Sequence, residues 1–148
     1  MQGKTVALFV QSKAGAASEA VDSVTALPDA GIAGDFHGKS GGPRQVVLVS
    51  QHDLSLFDLE PGSLREQITV DLPQLMELAP GTRLSVGEAV LEISGDCAPC
   101  RHIGEQLGVA DANAFEARLQ GRRGKLARVV EVTGGGRIAV GDAVVPLE

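Results

Sequence analysis

The chain of 148 residues has the length of one ordinary domain, so we expect a single domain over residues 1–148. Hydrophobic residues make up 43% and charged residues 22%, proportions that are typical of a globular protein and exclude a disordered or fibrous chain. The net charge of -6, the absence of Trp and Tyr and the presence of only four Phe exclude general binding to nucleic acids or anionic membranes, because such ligands are held by basic faces and stacking aromatic rings.

The apolar run at the N-terminal end, residues 6–10, is shorter than a signal-peptide core and far shorter than a membrane span. We therefore expect a cytoplasmic protein that does not enter a membrane. The sequence has two cysteines, too few for a disulfide framework, and thiols in that compartment stay reduced. Their role is expected to be chemical.

Valine-rich segments predict strands in the first third of the chain. Lys4–Gln11 and Ala20–Ala26 predict two strands separated by a loop, and Arg44–Ser50 predicts a third. Ser50 is in position to cap a short helix over Gln51–Leu59.

Two similar segments, residues 83–90 and 137–144, each combine short apolar stretches with a central glycine and an acidic residue. The central pairs are Gly87-Glu88 and Gly141-Asp142. Glycine followed by a polar residue is typical of tight hairpin turns, so each segment predicts a β-hairpin.

One helix is clearly predicted, over Ala112–Gln120, with Asp111 as its cap and Gly121 at its end. A further strand is predicted over Leu126–Val132. Many short strands, Gly-rich and Pro-rich turns and no β-α-β alternation predict a mainly β fold, a barrel or closed sheet with a few short helices.

The stretch from Gly31 to Ser40 ends in Gly-Lys-Ser, as a phosphate-binding loop does, but its spacing is wrong. Ala33 stands where the first glycine of that motif belongs, and Gly41-Gly42-Pro43 cannot open the required helix. Nucleotide hydrolysis is therefore not expected. Two interpretations stay open: a turn-rich loop without function, or a loop that approaches a ligand with Asp35 and His37 as polar contacts.

The sharpest local feature is Cys97-Ala98-Pro99-Cys100. A thioredoxin-type dithiol needs this motif to open a helix after a β-α-β strand, and a zinc site needs two further ligands such as His102 and His37 or His52. A third interpretation is a nucleophilic or metal-ligating thiolate at Cys100, favoured by the neighbouring Arg101. A pair of inert buried cysteines is the alternative to all three.

Several arginines stand out against the acidic composition. Arginine suits planar, bidentate recognition of phosphate or of a pterin edge, so a converging set would form a pocket for an anionic cofactor. The candidates are Arg44, Arg65, Arg101, Arg122 and Arg123.

The order of these motifs resembles the MOSC domain, the C-terminal domain of molybdenum cofactor sulfurases. The resemblance covers nearly the whole chain and is carried by residues 31–37, 44–50, 64–67, 81–89, 97–100 and 121–124. It implies a closed, strand-rich barrel of complex topology with a few helices, similar to the pyruvate kinase barrel. It also implies that Cys100 carries sulfur as a persulfide or ligates molybdenum.

In the same resemblance Arg65 falls on the arginine of the family's Phe-Arg-Glu-Asn motif, with Leu64 and Gln67 replacing two of its members. The family's larger members add a pyridoxal-phosphate desulfurase domain or a reductase's N-terminal barrel, for which 148 residues leave no room. A partner, either a cysteine desulfurase that carries the pyridoxal phosphate or a molybdoenzyme, is therefore expected to supply the missing function.

Three functional hypotheses follow. The first is a sulfur carrier that binds molybdenum cofactor, with sulfur on Cys100 and the pterin held by His37 and the arginines. The second is a molybdenum-dependent reductase of N-hydroxylated compounds, with Cys100 as the metal ligand. The third is a binding module without enzymatic activity, in which zinc or a disulfide staples Cys97 to Cys100.

Overall fold

The computed structural model describes residues 2–38 and 40–147. It contains eleven strands, three α-helices and a 3₁₀ helix over Leu75–Glu77. The strands are β1 Gly3–Val10, β2 Glu19–Val21, β3 Ser23–Leu27, β4 Gly31–Ile32, β5 Val46–Ser50, β6 Ile68–Asp71, β7 Arg83–Val86, β8 Ala89–Asp96, β9 Lys125–Val132, β10 Arg137–Ala139 and β11 Ala143–Leu147. The helices are α1 Gln51–Leu56, α2 Arg101–Leu107 and α3 Ala112–Leu119.

Seven strands close into a barrel in the order β11-β7-β8-β9-β5-β6-β1, with β1 pairing back to β11. The mainly β barrel expected from the sequence is therefore confirmed. Strand β2 extends the sheet beyond β1, and β10, β3 and β4 form a second, three-stranded sheet. Closure joins the first and last barrel strands, so no barrel edge is left unpaired.

Strand β5 shows why two apolar cores form. Its side chains alternate between the two faces of the barrel wall. Val46 and Leu48 belong to a cluster that draws residues from every barrel strand and fills the interior. Val47 and Val49 belong to a second cluster, which packs the outside of the wall against the helices.

Strands β5 and β6 run parallel, whereas the other neighbours in the barrel run antiparallel. The connection between them contains α1, because parallel neighbours need a crossover. This one β-α-β unit was not recognised in the sequence, which shows no β-α-β alternation. The same connection contains Arg65.

The two glycine-acid segments have different structures. β7 and β8 pair through Val86 and Ala89 around the two-residue turn Gly87-Glu88, as predicted. The prediction of a second hairpin is wrong, because β10 pairs with β3 while β11 pairs with β7 and β1. Gly141-Asp142 therefore joins two different sheets.

Helices α1 and α3 occupy nearly the predicted ranges, and the Asp111 carboxylate accepts the Ala114 N–H at 3.1 Å as the predicted cap of α3. Ser50 precedes α1 but makes no capping hydrogen bond with its side chain. Helix α2 was not predicted; it starts directly after Cys100 and buries Ile103 in the outer cluster.

Across residues 2–38 and 40–147, no helix is long and apolar enough to span a membrane. Lys39 of the Gly-Lys-Ser sequence, and the two terminal residues of the expected 1–148 domain, lie outside the described residues.

Candidate functional site

A cavity of about 290 Å³ lies where the N-terminal end of α2 meets the segments that precede β5, β6 and β9. Its walls bring together cationic and nucleophilic side chains from distant parts of the sequence: His37, Arg44, Arg65, Cys100, His102 and Arg123. Four of the residues singled out as cofactor contacts, together with the candidate nucleophile, therefore line one space.

The two cysteines have different surroundings. Cys97 is 3% exposed and packs in the outer apolar cluster, whereas Cys100 is exposed and lines the cavity. Both thiols are free. The motif does open a helix, contrary to expectation, but only its second thiol can meet a ligand.

Arg123 is 5% exposed, and its Nη1 has no hydrogen-bond partner. Burial lowers the pKa of Arg123, while the electrostatic influence of Cys97 opposes that decrease and that of Arg44 adds to it. A buried guanidinium with an unsatisfied N–H costs free energy unless an anion completes its contacts. The side chain therefore suits an anionic ligand bound in the cavity that it lines.

A hydrogen-bond network fixes His37. Its Nδ1 lies 3.0 Å from Oδ2 of Asp35, whose other carboxylate oxygen accepts the Gln11 N–H at 2.8 Å. Burial raises the pKa of Asp35, but the hydrogen bonds from His37 and Gln11 outweigh it and leave that pKa below its usual value. Asp35 thus acts on the cavity through His37 and does not line it.

Arg65 is held by the turn that precedes β6. The Glu66 carboxylate is buried and accepts the backbone N–H groups of Gly62 at 3.0 Å and Leu64 at 3.2 Å and the Thr69 hydroxyl at 2.7 Å. These bonds tie together both sides of the turn that presents Arg65.

Two of the predicted arginines lie outside the cavity. Arg101 pairs with Glu105 at 2.8 Å in an exposed contact along α2. Arg122 pairs with the buried Asp53 at 3.0 Å. Arg123, which is distant in sequence, lies close enough to Cys100 for the two side chains to interact electrostatically.

Other residues of the site were not singled out from the sequence. Phe36 stacks against His37 with ring centroids 4.0 Å apart, and Gln67 donates from Nε2 toward Asp35 at 3.3 Å. Gln11, Gln106 and Ile103 also line the cavity. None of these side chains belongs to a recognisable sequence motif, and they come together only when the chain folds.

A second cavity, of about 140 Å³, lies at the β7–β8 hairpin, and its charged lining residues are Glu88 and Glu131. Two carboxylates disfavour an anion, so this space does not compete as the site of an anionic cofactor.

Among residues 2–38 and 40–147, no group of three or more His, Cys, Asp or Glu side chains could hold a metal ion. The zinc staple therefore lacks its ligands among the described residues, and the two free thiols do not form the disulfide staple. The cavity does combine an exposed thiol with a buried arginine whose Nη1 has no hydrogen-bond partner.

The sequence pattern of the family described as MOSC domain matches residues 37–145, which include every cationic side chain named above as lining the cavity. No curated protein sequence matches the chain.

Solved structures share the fold. The YUAD protein from Bacillus subtilis aligns with a TM-score of 0.82 at 23% identity, over 97% of this chain and 94% of that one. YiiM from Geobacillus stearothermophilus aligns with a TM-score of 0.77 at 16% identity, over 99% and 75% of the two chains. YiiM from Escherichia coli aligns with a TM-score of 0.70 at 17% identity, over 98% and 70%.

Proposed function

Because this chain belongs to the MOSC domain family, which is associated with molybdenum cofactor, we propose that it binds this cofactor and carries sulfane sulfur on Cys100. The observation that supports this proposal most directly is the position of the thiol. Cys100 is exposed in a cavity that three arginines line, whereas Cys97 is buried.

Sulfur loading needs no oxidant. The Cys100 thiolate attacks the outer sulfur of a persulfide on a cysteine desulfurase, the sulfur–sulfur bond of the donor breaks, and the donor cysteine leaves as a thiolate. Cys100 then holds the sulfur as a persulfide. In this proposal pyridoxal phosphate belongs to the partner desulfurase alone.

The cofactor would be held by Arg44, Arg65 and Arg123, with His37 as a further polar contact. When bound, the cofactor would supply the redox chemistry of its molybdenum centre. Arg123 would complete its hydrogen bonding on the anionic part of the pterin, and Arg44 is exposed at the edge of the same space. Arg101 and Arg122 have other partners and are left out of this set.

A second candidate function is a molybdenum-dependent reductase of N-hydroxylated compounds. A thiolate is a suitable soft ligand for the metal, and Cys100 would ligate it directly. The observation in favour is the adjoining cavity of about 400 Å³, which shares Arg65 and Gly15 with the first and leaves room for a substrate beside a bound cofactor.

Sulfur loading tests the first function. The purified chain is incubated with a cysteine desulfurase and cysteine, and the adduct is measured by intact mass. We expect one added sulfur on the wild-type chain and on Cys97→Ala, and none on Cys100→Ser. Loss of the adduct in both variants would indicate a dithiol mechanism and would reject Cys100 as the single carrier.

Elemental analysis separates the two candidates. Protein purified from cells that make the cofactor should contain molybdenum in either case, and Cys100→Ser distinguishes them. Loss of sulfur loading with molybdenum retained supports the carrier, because the arginines hold the pterin. Loss of molybdenum in the same variant supports direct ligation.

A further inference from the structure

Arg65 has a backbone conformation that its side chain disfavours. Its φ of 61° lies in the left-handed region, which non-glycine residues rarely adopt. Among the non-glycine residues that the structure describes, Asp29 and Asp58 also have a positive φ, and aspartate tolerates this region better than arginine does. Strain of this kind persists where the surrounding structure enforces it, and it is concentrated at functional sites.

We propose that Glu66 is the positioning residue of the anion site: its carboxylate holds Arg65 in the left-handed conformation and so directs the guanidinium into the cavity. The proposal rests on the proposed function in one respect, namely that the cavity binds an anion. It adds a residue with no direct contact to that anion.

The contacts of Glu66 support this role. The carboxylate is 1% exposed, and its three hydrogen bonds come from Gly62 and Leu64 before Arg65 and from Thr69 after it. The Arg65 N–H also donates to the Gly62 carbonyl at 3.1 Å, which closes the turn. The carboxylate is therefore the internal scaffold of the turn, and both of its oxygens are needed.

The location of Arg65 shows what the turn achieves. Arg65 lines both the cavity of about 290 Å³ that contains Cys100 and the adjoining space of about 400 Å³. The second space is lined mainly by small residues, including Gly15 and Ser63. A guanidinium at this junction can contact an anionic group in either space, and a different backbone conformation would remove it from the junction.

Positioning and plain electrostatics predict opposite results for Glu66→Gln. Glu66 lies close enough to Arg123 to act on it electrostatically, so removing the negative charge would by itself strengthen the binding of an anion. An amide at this place brings an NH₂ group against backbone N–H donors, which opens the turn. Positioning therefore predicts weaker binding of the anion.

Backbone strain is tested first, without any ligand. Arg65→Ala removes the guanidinium but keeps the strain, whereas Arg65→Gly removes both. We expect the thermal unfolding midpoint of Arg65→Gly to exceed that of Arg65→Ala by about 3 °C. At Arg118, inside α3, the same pair of substitutions should give the opposite order, because glycine disfavours a helix.

Anion binding is tested with inorganic phosphate by titration calorimetry. We expect Arg65→Ala and Glu66→Gln each to raise the phosphate Kd by about tenfold. The Kd of the double variant should lie within about twofold of the Kd of each single variant. Should Glu66→Gln fail to fold, Thr69→Val removes a single bond to the carboxylate and should raise the Kd by about threefold.

Several results would overturn the proposal: tighter phosphate binding by Glu66→Gln, additive losses in the double variant, or a lower midpoint for Arg65→Gly than for Arg65→Ala. Absence of phosphate binding by the wild-type chain would remove the anion site and this role with it. Failure of sulfur loading on Cys100 alongside non-additive phosphate losses would reject the carrier function and leave the role of Glu66 standing.

Discussion

The Nδ1 atom of His37 lies 3.0 Å from Oδ2 of Asp35 in a contact that fixes the tautomer of the imidazole. Gln67 is also close to Nδ1, at 3.1 Å, but its Oε1 accepts the Val47 N–H at 2.7 Å, so its Nε2 must be a donor. Because an ionised carboxylate only accepts hydrogen bonds, we assign the proton of Nδ1 to the contact with Asp35, and Gln67 then donates to Asp35 at 3.3 Å and not to Nδ1.

This contact gives stability a specific pH dependence. The pKa of Asp35 is below its ordinary value, so the ionised carboxylate contributes stability above the ordinary pKa of about 3.9, and that contribution is lost as the pH falls through the folded-state pKa. We expect Asp35→Asn to lower the free energy of unfolding by about 2 kcal/mol at pH 7. The difference from wild type should persist down to about pH 3.9 and shrink as the pH falls below that value.

Urea unfolding at a series of pH values measures this difference. Asp111→Asn is the matched control, because that carboxylate caps an exposed helix end and asparagine caps equally well. A difference between wild type and Asp35→Asn that stays constant with pH would contradict the assignment.

The two thiols should differ in reactivity. Because Cys97 is 3% exposed and Cys100 is exposed, iodoacetamide should add one group to the native chain and two groups after unfolding in urea. Cys100→Ser should abolish the native adduct, and Cys97→Ala should keep it. Intact mass gives the count, and a native chain that takes two groups rapidly would show that Cys97 is accessible.

Gly124 should be intolerant of a side chain. Its φ is 117°, and a Cβ atom there would lie 2.4 Å from the Leu48 carbonyl oxygen. We expect Gly124→Ala to lower the free energy of unfolding by about 3 kcal/mol and to displace the adjacent Arg123.

Gly95→Ala provides the control, since its Cβ would meet nothing within 4 Å. Urea denaturation of both variants makes the comparison. Equal stability of the two would mean that the chain around Gly124 relaxes freely.

Replacing Arg123 should weaken anion binding without lowering the free energy of unfolding. Replacing the buried, unsatisfied guanidinium with a methionine of similar length removes a desolvation penalty, so Arg123→Met should leave the free energy of unfolding unchanged or raise it by about 1–2 kcal/mol. The same variant should weaken inorganic phosphate binding by at least about tenfold. Urea denaturation and calorimetry on one preparation test both, and marked destabilisation would instead assign Arg123 a structural role.

Local sequence signals determined those elements whose stabilising groups are neighbours in the chain. The hairpin of β7 and β8 forms because Gly87 permits the turn and the strands beside it pair with each other. Helix α3 forms where Asp111 caps it and Phe115 and Leu119 share a buried face. The contrast between the two cysteines was drawn from the resemblance and from the neighbouring Arg101, and the structure buries Cys97 while it exposes Cys100.

The tertiary structure decided everything that depends on partners far apart in sequence. Residues 137–144 have nearly the same pattern as the true hairpin, yet β10 and β11 pair with different sheets because closure of the barrel requires β11 beside β1. The sequence alone does not distinguish Arg101 from Arg123. In the structure Arg101 pairs with Glu105 along an exposed helix, whereas Arg123 is buried and lines the cavity that contains Cys100. Composition and periodicity indicate which residues are buried and which form turns. The arginines that converge on the Cys100 thiol are decided by pairing between strands that are far apart in the sequence.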